Sequence, residues 1–144
     1  MRLTVDLNAT YLNEYVVEPF PGGAPIIFDG RIGGGNGGYP KWRGYGVVTG
    51  QKDAFSLTWS TQWIGTAQDF NAAPTAIGYK APDVFYHNAQ VAVEIDAKTR
   101  FQIGVDNPFD RSAPYIPSFT DGNTDTMTYD LMRRRFYVGF RTAF

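Results

Sequence analysis

The sequence predicts an all-β fold: an antiparallel up-and-down sheet of about six strands, read as a transmembrane β-barrel segment, that is, an incomplete barrel. Three observations carry this. Apolar and polar residues alternate with period two over long segments, no helical period of 3.6 residues interrupts them, and short connections alternate with long ones. Residues 1–144 form one domain.

The first strand places Leu3, Val5, Leu7, Ala9 and Tyr11 on one side and Thr4, Asp6, Asn8 and Thr10 on the other. The second, Lys41 to Gly50, is the weakest, with Trp42 and Val48 in one phase and Tyr45 and Val47 in the other. The third opposes Phe55, Leu57, Trp59, Thr61 and Trp63 to Ser56, Thr58, Ser60 and Gln62. The fourth aligns Phe85, Ala89, Val91, Val93 and Ile95 against Tyr86, Asn88, Gln90, Glu94 and Asp96. The fifth sets Phe101, Ile103 and Val105 against Arg100, Gln102, Gly104 and Asp106. The sixth is read from about Thr126 to Phe144, with Phe136, Val138, Phe140 and Phe144 on the apolar side and Tyr137, Gly139, Arg141 and Ala143 on the other. Most of these segments reach the about 9–11 residues of a tilted spanning strand, whereas soluble strands average about 5–6. An aromatic terminus on the apolar side suits a membrane boundary better than a soluble edge strand.

Turns are expected at Gln51-Lys52-Asp53 and Ala97-Lys98-Thr99, and long loops at about Glu18 to Pro40, Ala67 to Pro82 and Arg111 to Asp125. Short turns on one side and long loops on the other are the outer-membrane barrel pattern, so the long loops are placed outside the cell and the C-terminus in the periplasm. Composition agrees. Aromatic residues make up 16% and there are 16 glycines, which favours β-structure. No run approaches the roughly 20 apolar residues of a spanning helix, and a mean hydropathy of −0.28 is compatible with strands whose alternate residues are polar. A net charge of −1 gives no reason to expect nucleic acid as a partner, and the absence of cysteine excludes a disulfide scaffold. Met1-Arg-Leu-Thr-Val-Asp-Leu-Asn8 lacks the continuous apolar core of a signal peptide and reads as strand.

Several segments resemble a known family. Tyr39-Pro-Lys-Trp-Arg43 resembles a proline-led motif that opens a strand after an external loop. Trp63-Ile-Gly65 stands where an aromatic-Ile/Val-Gly leads into a loop. Gly104-Val-Asp-Asn-Pro-Phe-Asp-Arg111 with Ala113-Pro-Tyr-Ile116 resembles an N-L-F-D-K…P-Y segment, and Tyr129 to Phe144 resembles a final strand. In this order they resemble the C-terminal barrel portion of a TonB-dependent outer-membrane receptor. Pro108 replaces the usual leucine, Arg133 stands where glycine is common, and Thr142 where an aromatic completes the terminal assembly signal. The resemblance implies TonB-dependent uptake of a scarce ligand, such as a ferric siderophore, cobalamin or an oligosaccharide, with no chemistry done on it and no cofactor. It covers roughly the last quarter of a receptor of roughly 22 strands. The plug domain and the TonB-contacting segment belong to the N-terminal part of that family and have no counterpart in residues 1–144. The implied partners are therefore the lipid bilayer and the rest of the receptor barrel and plug, or a companion chain. A truncated or split receptor is the simplest account of the chain.

Other chemistry is weaker. Asp121-Gly-Asn-Thr-Asp125 begins like a calcium loop, but Thr126 and Met132 occupy the positions where glycine and glutamate are needed, so a solvated loop is the better reading. Arg133 and Arg135 are read as pairing with lumen carboxylates, and Arg134 as snorkelling to headgroups, rather than as an anion site. His87, the single histidine, falls on the apolar phase without a catalytic partner. Trp42, Trp59 and Trp63 could stack on sugar, but Trp59 and Trp63 share the phase of Phe55 and Leu57, which favours an aromatic girdle. Glu94, Asp96 and Asp106 form no acid/base pair by spacing. Gly33 to Gly38 lacks the Lys-Ser/Thr of a phosphate loop and reads as a flexible external tip. No residue is assigned to catalysis, a metal or a ligand. The alternative readings are a soluble β-sandwich that binds sugar or protein, and a surface adhesin.

Overall fold

The computed structural model describes residues 1–33, 35–120 and 122–143. Its strands, in chain order, are β1 (Arg2–Tyr11), β2 (Val16–Val17), β3 (Ile26–Ile27), β4 (Arg31–Gly33), β5 (Gly37–Tyr39), β6 (Trp42–Lys52), β7 (Phe55–Ile64), β8 (Ala67–Asp69), β9 (Lys80–Ala81), β10 (Val84–Glu94), β11 (Thr99–Asp106) and β12 (Arg135–Thr142). There is no helix among the described residues.

The six long strands form one antiparallel sheet in the order β1-β6-β7-β10-β11-β12, an up-and-down meander in which each long strand pairs with the next in sequence. The sheet is open: β1 and β12 are its edges and do not pair with each other. All-β, antiparallel and six-stranded thus describe the large sheet. The strands differ from the expected bounds where backbone geometry, not side-chain pattern, decides. The β6–β7 hairpin turns at Asp53 and Ala54, with Asp53 at a φ of 52°, a left-handed conformation that aspartate tolerates better than most residues. At the β10–β11 turn the Asp96 carboxylate accepts the Lys98 backbone N–H (2.8 Å), and that bond holds its pKa below the usual carboxylate value. The last strand starts at Arg135, later than the expected Thr126; residues 126–128 form a turn, 129–134 run as bends and irregular chain, and Arg133 takes a φ of 60° that breaks the extended chain. Phe144, expected to close the apolar row of that strand, lies outside the described residues.

Register joins the alternation of each strand into two continuous faces. Val5 faces Val48, Val48 faces Trp59, Trp59 faces Ala89 and Ala89 faces Val105, which in turn faces Phe136. A one-residue slip anywhere would mix the faces, so the pattern itself pins the register. The ambiguity of the second strand is now explained. Gly44, Gly46 and Gly50 share the phase of Trp42 and Val48, and the Trp63 ring and Leu7 pack over Gly44 and Gly46 (3.1 and 3.0 Å from where a Cβ would stand).

The long connections are folded. β2 and β3 make a small hairpin, and β5-β4-β8-β9 make a second sheet, antiparallel except for the parallel β4–β8 pair. The buried cluster Ile32, Ile64, Ala67, Ala81, Val84, Tyr86, Ile116 and Tyr129 lies between this loop layer and the long-loop ends of β7 and β10. Ile64, Val84 and Tyr86 share the phase of Gln62 and Asn88, so the loop layer packs on the polar side of the large sheet. The glycine run is therefore a hairpin, not a free tip. Gly33 and Gly37–Gly38 lie in β4 and β5, and a Cβ on Gly38 would come 2.5 Å from Thr128 Oγ1 and 2.6 Å from Asp125 Oδ2. Gly34 lies outside the described residues.

Candidate functional site: the two faces of the sheet

The face carrying Leu3, Val5 and Leu7 on β1, Trp42 and Val48 on β6, and Phe136, Val138 and Phe140 on β12 is apolar across all six long strands. None of its residues is buried, whereas every buried residue of the six strands, Ser60, Ile64, Val84, Tyr86 and Ala92, points to the opposite side. Leu7 and Phe136 are each 78% exposed and Val138 70%, values that rule out a second layer of described residues over them. Six strands at ~4.8 Å spacing and about eight residues at ~3.3 Å rise give a face of roughly 750 Å². The largest apolar patch of a soluble monomer is about 300–600 Å².

Aromatic rings bound this face at both ends. At the long-loop end Tyr11, Trp42, Trp63 and Phe85 form a ladder over four adjacent strands, with centroid separations of 4.6, 6.2 and 6.2 Å and the last two pairs stacked. At the short-turn end the register aligns Phe55, Val93, Phe101 and Phe140 in one row. The aliphatic middle, including Val48, Leu57, Val91, Ile103 and Val138, lies between. From Phe55 to Trp63 is ~26 Å along the strand, or ~20 Å along a membrane normal at the about 40° tilt usual in barrels; ring radii bring that close to the about 25 Å band of outer-membrane barrels.

His87 lies on this face with its Nδ1 2.8 Å from Thr61 Oγ1, which also accepts the Trp59 indole N–H at 3.2 Å. Its ring sits 5.4 Å from both Trp59 and Phe109. The imidazole is thereby packed among aromatics, with no carboxylate or second histidine in the cluster.

The opposite face is polar and internally bonded. Thr49 and Thr58 hydroxyls lie 3.0 Å apart, Asn88 donates to Ser60 (3.3 Å), and Tyr137 donates to Gln90 (3.1 Å) while its ring covers Gly104. Arg100 pairs with Glu94 at 3.1 Å, and Arg135 lies 3.5 Å from Asp106 and 3.4 Å from Asp130. Of the dispersed acids, Glu94 and Asp106 are thus each matched to an arginine, while Asp96 is held by the backbone of its own turn. Of the arginine run, Arg133 forms a two-point pair with Asp110 (2.6 and 3.0 Å), and Arg134 donates its side chain to the Pro108 carbonyl (3.3 Å) instead of reaching outward. The Arg133 guanidinium and then the Arg134 backbone N–H hold the Asp110 pKa down at about 2.

In the loop layer, Asp125 is buried, and its carboxylate accepts the Thr128 hydroxyl (2.7 Å) and the Met127 N–H (3.0 Å), while Arg43 reaches Thr128 Oγ1 (3.4 Å) and the Gly38 carbonyl (3.3 Å). Asp125 is thus committed to holding a turn; Asp121, the first residue of the calcium-like stretch, lies outside the described residues. Asp69, equally buried, ties β8 to the third loop through the Ser118 N–H (2.9 Å) and caps its own turn through Asn71 N–H (2.9 Å). Asn107, at a φ of 51°, bonds both the N–H and the carbonyl of Arg111 (2.8 Å each). Burial pushes the Tyr129 hydroxyl pKa up to about 12. Sequence reasoning missed these anchors, because the isolated Ile32, Ile116 and Tyr129 among loop residues carry no period.

Comparison with protein-family models, with curated proteins and with solved structures finds no match to this chain.

Proposed function

We propose that this chain is a membrane-embedded segment of a TonB-dependent outer-membrane receptor barrel that takes part in uptake of a scarce ligand, a ferric siderophore, cobalamin or an oligosaccharide. The observation that carries the reading is the unburied apolar face, bounded by aromatic rows and backed by a polar face that bears the folded loops. Water is a poor solvent for such a face and hydrocarbon a good one. The polar face then lines the lumen, the loop layer sits over its external mouth, and the two short turns face the periplasm. The family assignment within this reading rests on the motifs Tyr39 to Arg43, Gly104 to Ile116 and Tyr129 to Phe144.

An open sheet in lipid leaves the outward N–H and C=O groups of β1 and β12 unpaired, each costing several kcal/mol. Six strands also fall below the about eight of the smallest single-chain membrane barrels. The barrel is therefore completed by further strands, from the rest of a receptor with its plug or from a companion chain. TonB is reached through the plug portion.

The soluble-sandwich reading requires a second layer over Leu7, Phe136 and Val138, and their exposure runs against it. The test is solubility: the chain should require detergent or lipid to remain dispersed and should co-sediment with vesicles. A monodisperse monomer in detergent-free buffer would overturn the proposal.

A further inference from the structure

Just beyond the aromatic ladder, at the long-loop rim of the apolar face, lies a cleft of ≈ 360 Å³. Trp42 of the ladder forms part of its wall, and Asp83 in the wall accepts the Trp63 indole N–H at 3.2 Å. Asp29, Lys41, Gln68 and Lys80 contribute the remaining charged and amide groups. The lining thus carries two ammonium and two carboxylate groups, in balance. Lys41 is held by Asp29 at 2.8 Å, which raises the Lys41 pKa and lowers that of Asp29. Lys80 has no ion-pair partner among the described residues.

We propose that this cleft binds the headgroup of a zwitterionic phospholipid with a primary ammonium, a phosphoethanolamine headgroup, at the membrane rim. The proposal rests on the membrane reading above and adds a specific lipid to it. Lys80 meets the phosphate as a charge-assisted donor, and Asp83 accepts from the ammonium. The acyl chains leave the cleft past Trp42 and Trp63 onto the apolar face, where indole rings commonly mark the level of the headgroups. Three features select this chemistry. An anionic headgroup would face as many carboxylates as amines. A choline headgroup has no N–H to give to Asp83. A soluble phosphate ester would leave the apolar continuation of the cleft empty.

Native mass spectrometry of the full chain in detergent, with equal amounts of phosphatidylethanolamine, phosphatidylcholine and phosphatidylglycerol of matched acyl chains, tests it. The expected result is at least about tenfold greater retention of phosphatidylethanolamine, the effect of about one charge-assisted bond. Lys80→Gln and Asp83→Asn should each bring its retention down toward that of phosphatidylcholine. Asp83→Asn keeps an acceptor for the Trp63 N–H, so the fold is preserved while the charge is lost. Lys98→Gln, in the turn at the opposite end of the sheet, should leave the preference intact. Equal retention of the three lipids, or unchanged preference in both cleft variants, overturns the site while leaving the membrane reading standing. Free phosphoethanolamine that competes as well as the lipid would also overturn it, because the cleft would then serve a soluble ligand. A chain that stays monomeric without detergent overturns both.

Discussion

All three tryptophans lie on the apolar face, and two of them sit on one strand at different heights. Trp59 and Trp63 are four residues apart on β7. At ~3.3 Å per residue and a tilt of about 40°, their depths in a bilayer differ by ~10 Å. With Trp63 in the boundary row of a band about 25 Å tall, Trp59 falls within ~3 Å of the midplane. Two single-tryptophan variants isolate them: Trp42→Phe with Trp63→Phe, and Trp42→Phe with Trp59→Phe. In vesicles of lipids brominated at stated acyl positions, the Trp59 variant should be quenched most by bromines near the chain ends. The Trp63 variant should be quenched most by bromines near the headgroup. Equal quenching of both at every depth, or emission unchanged between brominated and plain lipid, would refute the placement of this face against hydrocarbon.

Neighbouring residues on one strand should respond oppositely to charge. Leu57→Arg, in the middle of the apolar face, should destabilise the membrane-inserted state by about 2–4 kcal/mol, whereas Thr58→Arg on the polar face should cost less than about 1 kcal/mol; denaturant titration of vesicle-bound protein measures the difference. Gly38→Ala should loosen the loop layer by about 1–3 kcal/mol, because its methyl would intrude on Thr128 and Asp125. Protease should then nick the loops faster while the six-stranded sheet stays intact. The Asp110–Arg133 pair should make the third loop acid-sensitive. Asp110 has a folded pKa of about 2, below its unfolded value of about 3.9, so its stabilising contribution is complete above pH ~4, declines as pH falls toward 2 and is absent below it. Proteolysis within residues 107–134 should rise over that window in the parent chain, and Asp110→Asn should flatten the profile.

Which parts of this architecture could be read in advance follows from the range of the forces involved. Period-two alternation is a local property, and it located the strands holding Leu3 to Tyr11, Phe55 to Trp63 and Phe85 to Val93 to within a residue or two. Gly44, Gly46 and Gly50 hid the alternation of β6, because the apolar cover over Gly44 and Gly46 comes from Trp63 and Leu7 on other strands and Gly50 has no side chain to show its phase. Alternation extends the last strand through Arg133 and Arg134 because charge pattern carries no φ, whereas Arg135 does open β12. The φ of 60° at Arg133 is stabilised from 23 residues away by Asp110.

The sequence by itself determined the strand pattern, the two-faced sheet and the short and long connections, since each depends on residues close along the chain. Only the tertiary structure decided that the apolar rows of six strands join into one unburied face and that the loops fold onto the polar side. The same structure set the cleft beside Trp42 and the buried roles of Asp69 and Asp125. Apart from the bonds of Asp125 within its own turn, those features depend on register and on contacts between distant segments, and no local pattern encodes which distant side chain will fill the space beside a glycine or accept the N–H of another loop, as Asp69 does from Ser118.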